Sequence, residues 1–432
     1  MKRLNCLWLI YLLTAAVVAQ SSKYSADEIM AFFNQTREAT ESHTTLWDKD
    51  IYGPILLVDP QTREVFANVQ DAKNELTPKG GIFVGSIPGE LPVSNTDITW
   101  NGTHWAMLEL PLPEKRYDRI DLVTHELFHR TQFSLGFKPF REENSHLDQR
   151  DGRIYLRLEL AALEAALKAN RLTKSEEHIR NALIFRKYRQ MIYRGSQVTE
   201  NSLEILEGLA TYTGQIMSGR DKWEWREYLI RRINSFEETP SYVRSFAYET
   251  TPVYGFFLQQ KDYSWNKKVD NKTDLTDFFS EAFGMDSRII LHTYVKQVAE
   301  DYNWRKIVDQ ETKRAALNNS VLDEYRNKFL EQPHLEIKLE DMNMSFNPGS
   351  LIPLDEDEGT VYPTIRLSDN WGILTVEEGG ALLRSDWRWV IVSEPLEITD
   401  DLITGDGWEI ELNEGYQIQE LPDGNYLLTK SE

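Results

Sequence analysis

A chain of 432 residues, 41% of them hydrophobic and 11% aromatic, is long enough to bury a sizeable core and too rich in rings to stay disordered. Its 69 acidic residues outnumber 48 basic ones, and the formal charge of −21 makes nucleic acid and anionic membrane surfaces poor partners. That length suggests two or three domains.

The chain opens with Met1-Lys2-Arg3, and an apolar run over 7–19 ends in Val17-Val18-Ala19. A basic start, a short apolar stretch and small residues at its end form the pattern of a secretory signal peptide. Residues 1–19 are therefore expected to be removed and the protein to be secreted or periplasmic. The run is short for a bilayer, so no stable membrane span is expected after cleavage. Cys6, the single cysteine, falls inside this segment. The exported chain then has no disulfide and no thiolate, which leaves His, Asp and Glu as metal ligands. Its acidity serves solubility. Asn34, Asn101, Asn271, Asn318 and Asn343 head glycosylation sequons, which matter only in a glycosylating cell.

Residues 20–114 are predicted to form an N-terminal α/β lobe. Over 25–42, Ile29, Phe32 and Phe33 recur at helical spacing among charged residues. Short β-branched or aromatic runs at 54–58, 64–69 and 81–85, bounded by Pro, Gly, Asp and Asn, read as strands. A longer strand is expected over 103–110, with His104, Ala106, Leu108 and Leu110 on one face and Trp105, Met107 and Glu109 on the other. Pro111 and Pro113 follow it, which suits an edge strand able to pair with an extended substrate.

Residues 115–332 change to a helical period. Candidate helices cover 116–135, 151–170, 174–194, 201–218, 222–235, 249–260, 274–284, 286–301 and 319–331. Residues 333–432 return to short alternating runs separated by turns at Asn347-Pro348-Gly349, Glu378-Gly379-Gly380 and Pro422-Asp423-Gly424, as in an all-β domain. Its tryptophans, Trp371, Trp387, Trp389 and Trp408, either fill a small core or bind a partner. The acidic run Asp355-Glu356-Asp357-Glu358 reads as a solvated loop.

The chemistry gathers at His125-Glu126-Leu127-Phe128-His129. Positions i and i+4 share a helix face, so two imidazoles can hold one metal ion with Glu126 beside them; this is the HExxH zinc signature. A hydrolytic zinc needs a third protein ligand, and Glu159, Glu204 and Glu207 are the credible carboxylates. Around Glu207, the small residues Ala210, Thr211 and Gly214 recur at i+3, i+4 and i+7 and would let two helices approach closely. Glu204, one turn earlier, would support an imidazole, as would Asp121 from four residues before His125. The other histidines, His43, His104, His146, His178, His292 and His334, lack such pairing.

The motif at 125–129, followed by Leu206-Glu207-Gly208-Leu209-Ala210-Thr211-Tyr212, resembles the gluzincin metallopeptidases. It is most similar to their aminopeptidase-like branch, whose second helix reads Asn-Glu-Gly-Phe-Ala. The resemblance implies zinc held by His125, His129 and Glu207, and a β-lobe followed by a mainly helical lobe. It also implies a tyrosine that stabilises the oxyanion, with Tyr248 preferred to Tyr254. Trp105-Ala106-Met107-Leu108-Glu109 faintly resembles the branch's amine-binding strand motif, which would give Glu109 an exopeptidase role. Residues 130–206 exceed the family's usual connection and imply inserted helices.

The expected protein is thus an α+β zinc metallopeptidase. Its parts are a signal peptide at 1–19, the lobe at 20–114, the zinc-binding catalytic lobe at 115–332 and the β-domain at 333–432. Glu126 would act as general base on a peptide or protein substrate, and the β-domain could dock a partner. The alternatives are a non-catalytic protein-binding module on the same scaffold and a zinc hydrolase of a non-peptide amide or ester.

Overall fold

The computed structural model describes residues 23–138, 144–285, 292–347, 350–355 and 357–431. The signal-peptide segment with Cys6, the first residues of the helix expected at 286–301, Pro348-Gly349 and Glu356 lie outside the described residues. The protein is α+β, about 47% helix, with an all-β C-terminal region.

Helix α1 (Ala26–Glu41) starts where its chemistry says it should. Ser25 Oγ accepts from the Glu28 amide, and the Glu28 carboxylate accepts from the Ser25 amide, so two otherwise orphaned donors are satisfied at once. Strands β1 (Ile55–Val58), β2 (Glu64–Ala67), β3 (Thr77–Lys79), β4 (Ile82–Ser86), β5 (Thr96–Trp100) and β6 (Thr103–Glu109) form one sheet in the order β3-β4-β2-β1-β6-β5. Both faces of its centre are buried. Ala106 and Leu108 of β6 join the main core, whereas Trp105 and Met107 pack with Leu56 and Val58 on the other side.

The strand expected at the edge is not there. Strand β6 lies between β1, to which it runs parallel, and β5, to which it runs antiparallel. The true edge is β5, joined to β6 through Asn101-Gly102. Both turn residues have positive φ, 48° and 73°, as a tight hairpin of this kind requires. Pro111 and Pro113 merely follow the last paired residue. Strand β3 was likewise not foreseen.

The chain then turns helical: α2 (Arg116–Gln132), α3 (Arg150–Lys168), α4 (Leu172–Ile192), α5 (Ser196–Leu203), α6 (Leu209–Met217), α7 (Lys222–Phe236), α8 (Ala247–Lys261), α9 (Leu275–Ala282), α10 (His292–Ala299) and α11 (Trp304–Arg326). Helices α3 and α4 pack as a hairpin in the stretch between the histidines and Glu207. Two starts differ from expectation. Helix α5 begins at Ser196, behind Gly195 at φ 91°, rather than at 201. Helix α11 begins at Trp304 rather than at 319, because a long exposed helix leaves a weak apolar stripe. None of the described helices is long and apolar enough to cross a membrane. The sheet's inner face and the helices share one core, so the lobes at 20–114 and 115–332 are not separately packed.

From β7 (His334–Lys338) onward a seven-stranded and a six-stranded sheet face one another across a core that includes Trp371 and Trp408. Trp389 is half-buried and Trp387 exposed. Helix α11 continues through a π-helical turn, Asn327–Glu331, whose Phe329 packs with Leu354, Val361, Leu382 and Ile391. The helix ends at Glu331, before the boundary expected at 332, and its last turn packs against the C-terminal strands. In the acidic run, Glu358 is paired with Arg326 at 2.8 Å.

Candidate functional site

Helix α2 is wedged between the sheet and α6. Ile120, Val123, Leu127 and Phe128 enter the core, while His125, Glu126 and His129 line a cleft of about 430 Å³ beside β5. Close approach of α6 follows from its small residues. A Cβ on Gly214 would lie 2.5 Å from the Asp121 carbonyl oxygen, so only glycine lets the two helices meet here.

Glu207 arrives in a π-helical turn, Glu204–Gly208, between α5 and α6. The Leu209 amide bonds back to the Glu204 carbonyl, which inserts one extra residue into the turn and re-aims its side chains. Glu207 Oε2 consequently lies 3.4 Å from His125 Nε2 and 3.2 Å from His129 Nε2. Those two nitrogens are 2.9 Å apart, and a ligand atom from each of the three residues lies within 4.8 Å of the others. His125, His129 and Glu207 could hold one metal ion.

The tautomers follow from the surrounding bonds. Gln132 donates its amide to the carbonyls of Ile205 and Leu206, both at 2.9 Å, which leaves its Oε1 as an acceptor. His129 Nδ1, 2.9 Å away, must therefore donate to it, and Nε2 faces the cluster. Thr211 gives its hydroxyl proton to the Glu207 carbonyl at 2.8 Å and accepts, over a longer 3.4 Å, from His125 Nδ1. Gln132 thus fastens α2 to the π turn and orients a histidine as well. It stands three residues after His129, on the same helix face, which is the signal that could have found it.

The protein groups shift one another's ionisation in opposite directions. Burial depresses His129, but the hydrogen bond to Glu207 and its negative charge outweigh that and push the pKa up to about 9. Burial lowers His125. It would raise Glu207, yet bonds from the two imidazoles hold that carboxyl well below its ordinary range. Burial pushes Glu126 up to about 8, opposed by His129 and reinforced by Glu207 and Asp97. Glu126 Oε2 is buried and has no protein partner.

Tyr248, in the first turn of α8, reaches the same cleft. Its hydroxyl donates to Glu207 Oε2 at 2.6 Å, and its ring stacks on His125 with centroids 5.7 Å apart. Asn95, Thr96 and Asp97, at the start of β5, also line the cleft, as do Phe133 and Leu206. These lining residues were not foreseen; the Asn101-Gly102 pair was the visible sign of a strand before it.

The other candidates sit elsewhere. Glu159 and Glu204 are engaged by Arg186, at 2.7 and 2.8 Å, so neither is free to serve as a third ligand and Glu204 supports no imidazole. Asp121 is bonded to Arg220 at 3.0 Å, not to His125. Tyr254 is buried and donates to Glu159 at 3.0 Å. Glu109 is exposed at the end of β6 and is not part of the cleft wall. His43, His104, His146, His178, His292 and His334 each contact a protein partner outside the cluster. No protein-family model matches the chain, and neither a curated protein nor a solved structure does, so the chemistry of the site has to be read from its own atoms.

Proposed function

We propose that the chain is an exported, zinc-dependent metallopeptidase of the gluzincin type. The observation that carries this reading is the convergence of His125 Nε2, His129 Nε2 and Glu207 Oε2 within 4.8 Å, with Glu126 on the same cleft. Two imidazoles and one carboxylate suit a catalytic zinc, which takes three protein ligands and keeps a position open. The buried Glu126 Oε2 without a protein partner is what a proton acceptor poised beside that position requires.

His125, His129 and Glu207 would hold the zinc, which when bound would lower the pKa of a water to about 7 and polarise a carbonyl. Glu126 takes a proton from the attacking water and passes it to the leaving amine. The Tyr248 hydroxyl, which donates to Glu207 Oε2 in the structure, would have to release that oxygen and would then donate to the oxyanion of the tetrahedral intermediate. The free edge of β5 offers backbone groups to an extended peptide lying across the cleft, the task first expected of β6.

Metal analysis of purified protein tests the reading, together with hydrolysis of a peptide library by wild type and Glu126→Gln. About one zinc per chain, and loss of hydrolysis by roughly 10²–10⁴-fold in the variant, is expected. Protein without stoichiometric zinc, or a fully active Glu126→Gln, would sink it.

A further inference from the structure

Behind the cluster lies a set of charges removed from water. Glu159 on α3, Arg186 and Arg189 on α4, Glu200 on α5 and Glu204 at the start of the π turn are each 0–1% exposed. Arg186 grips Glu204 with both Nη atoms at 2.8 Å and gives its Nε to Glu159 at 2.7 Å. Arg189 bridges Glu159 at 2.8 Å and Glu200 at 2.8 and 2.9 Å, and His146 meets Glu200 at 2.7 Å. Burying ions costs several kcal/mol each, and apolar packing often stabilises as well as a buried pair does. Stability alone is therefore a weak reason for such a network, and geometry is a stronger one.

Two contacts connect the network to the cluster. Glu204 opens the π turn that presents Glu207. Its Oε1 also accepts from the hydroxyls of Thr250, at 2.7 Å, and Thr251, at 3.1 Å. Those threonines lie in the turn of α8 that presents Tyr248. One carboxylate, clamped by Arg186, thereby joins the turn carrying the third ligand to the turn carrying the phenol. Gly208 permits the contact, since a Cβ there would lie 2.3 Å from Thr251 Oγ1. A π turn is rarer and less well bonded than an α turn, so it needs such outside support.

We infer that the Arg186–Glu204 pair, with Thr250 and Thr251, is a positioning device that holds Glu207 and Tyr248 in register with His125 and His129. The inference rests on the metal reading above. Supporting groups of this kind are worth about 10–100-fold in metal affinity.

The test titrates Zn²⁺ into metal-stripped wild type, Glu204→Gln and the near-isosteric Thr250→Val, against a chromophoric chelator. The absorption spectrum of each protein saturated with Co²⁺ and its melting temperature are recorded alongside. Zinc affinity about 10–100-fold weaker in Glu204→Gln, with an altered cobalt spectrum at saturation, is expected. Thr250→Val should shift both in the same direction and less. A purely structural role would lower the melting temperature and leave the cobalt spectrum unchanged, and that result overturns the inference. If Glu204→Gln does not fold, Thr250→Val decides: wild-type affinity and spectrum in the folded variant overturn it. Wild type that binds no zinc overturns the metal reading and this inference together, whereas equal binding by wild type and variants overturns this inference alone.

Discussion

The hydroxyl of Tyr248 donates to Glu207 Oε2 over 2.6 Å, the same oxygen that approaches both histidines. A phenol so placed has two separable uses, supporting the carboxylate and stabilising charge on a reacting carbonyl. The second predicts that Tyr248→Phe keeps its zinc and its KM and loses about 10²–10³ in kcat. Steady-state kinetics beside metal analysis would check it; zinc loss with unchanged kcat per bound metal would leave the phenol only the first use.

Phe133 is 73% exposed yet forms the cleft wall with Leu206. An exposed ring at the rim of a cleft is a contact surface for apolar side chains. We predict preferred cleavage beside aromatic or branched aliphatic residues. Phe133→Ser should lower kcat/KM for those peptides about tenfold through KM, because one apolar contact is worth about 1–3 kcal/mol. Alanine-containing peptides and the melting temperature should be unaffected. Mass-spectrometric profiling of the products, with the variant cleaving at the same sites and the same rates, would refute this.

Gly214→Ala places a methyl 2.5 Å from the main-chain oxygen of Asp121, which cannot swing aside as a side chain could. Helices α2 and α6 must separate, at a cost of about 1–3 kcal/mol. Since one helix carries the histidines and the other follows Glu207, zinc affinity should weaken as the melting temperature falls. Calorimetry and zinc competition on the same sample measure both, and an unchanged pair of values contradicts the close approach.

Burial would raise the Glu200 carboxyl, but Arg189 and then His146 outweigh it and hold the group well below its ordinary 4.5. The folded pKa is below the unfolded one, so this carboxylate contributes stability above the unfolded value and loses it as pH falls through the folded value. Glu200→Gln should cost about 3–5 kcal/mol at neutral pH, because buried partners are left uncompensated. The variant's stability should also fall less steeply than wild type between about pH 5 and the acid limit. Urea unfolding across that range gives both numbers, and parallel acid limbs would contradict the assignment.

Much of the site was legible because it is local. His125 and His129 needed only the helical period, and Ala210, Thr211 and Gly214 announced a close helix contact within two turns of Glu207. Glu126 came with the same motif and Tyr248 with the resemblance, and the structure brings His125, Glu126, His129, Glu207 and Tyr248 to one cleft. What was illegible depends on partners distant in sequence. Whether 103–109 is an edge is decided by β5, and β5 was overlooked because its alternation is weak and its sign was a single Asn-Gly turn. Small neighbours and the resemblance favoured Glu207, but nothing local excluded Glu159 or Glu204. The three differ because Arg186 and Arg189, from α4, claim Glu159 and Glu204.

The sequence by itself determined the residue types of the candidate cluster, the face of α2 that carries its histidines and the change from strands to helices to strands, since each follows from residue type and short-range period. Only the tertiary structure decided which glutamate meets the histidines. A π turn sets the direction of Glu207, and a buried arginine takes Glu204 away. Both depend on free energies of contacts between helices, which no local period encodes.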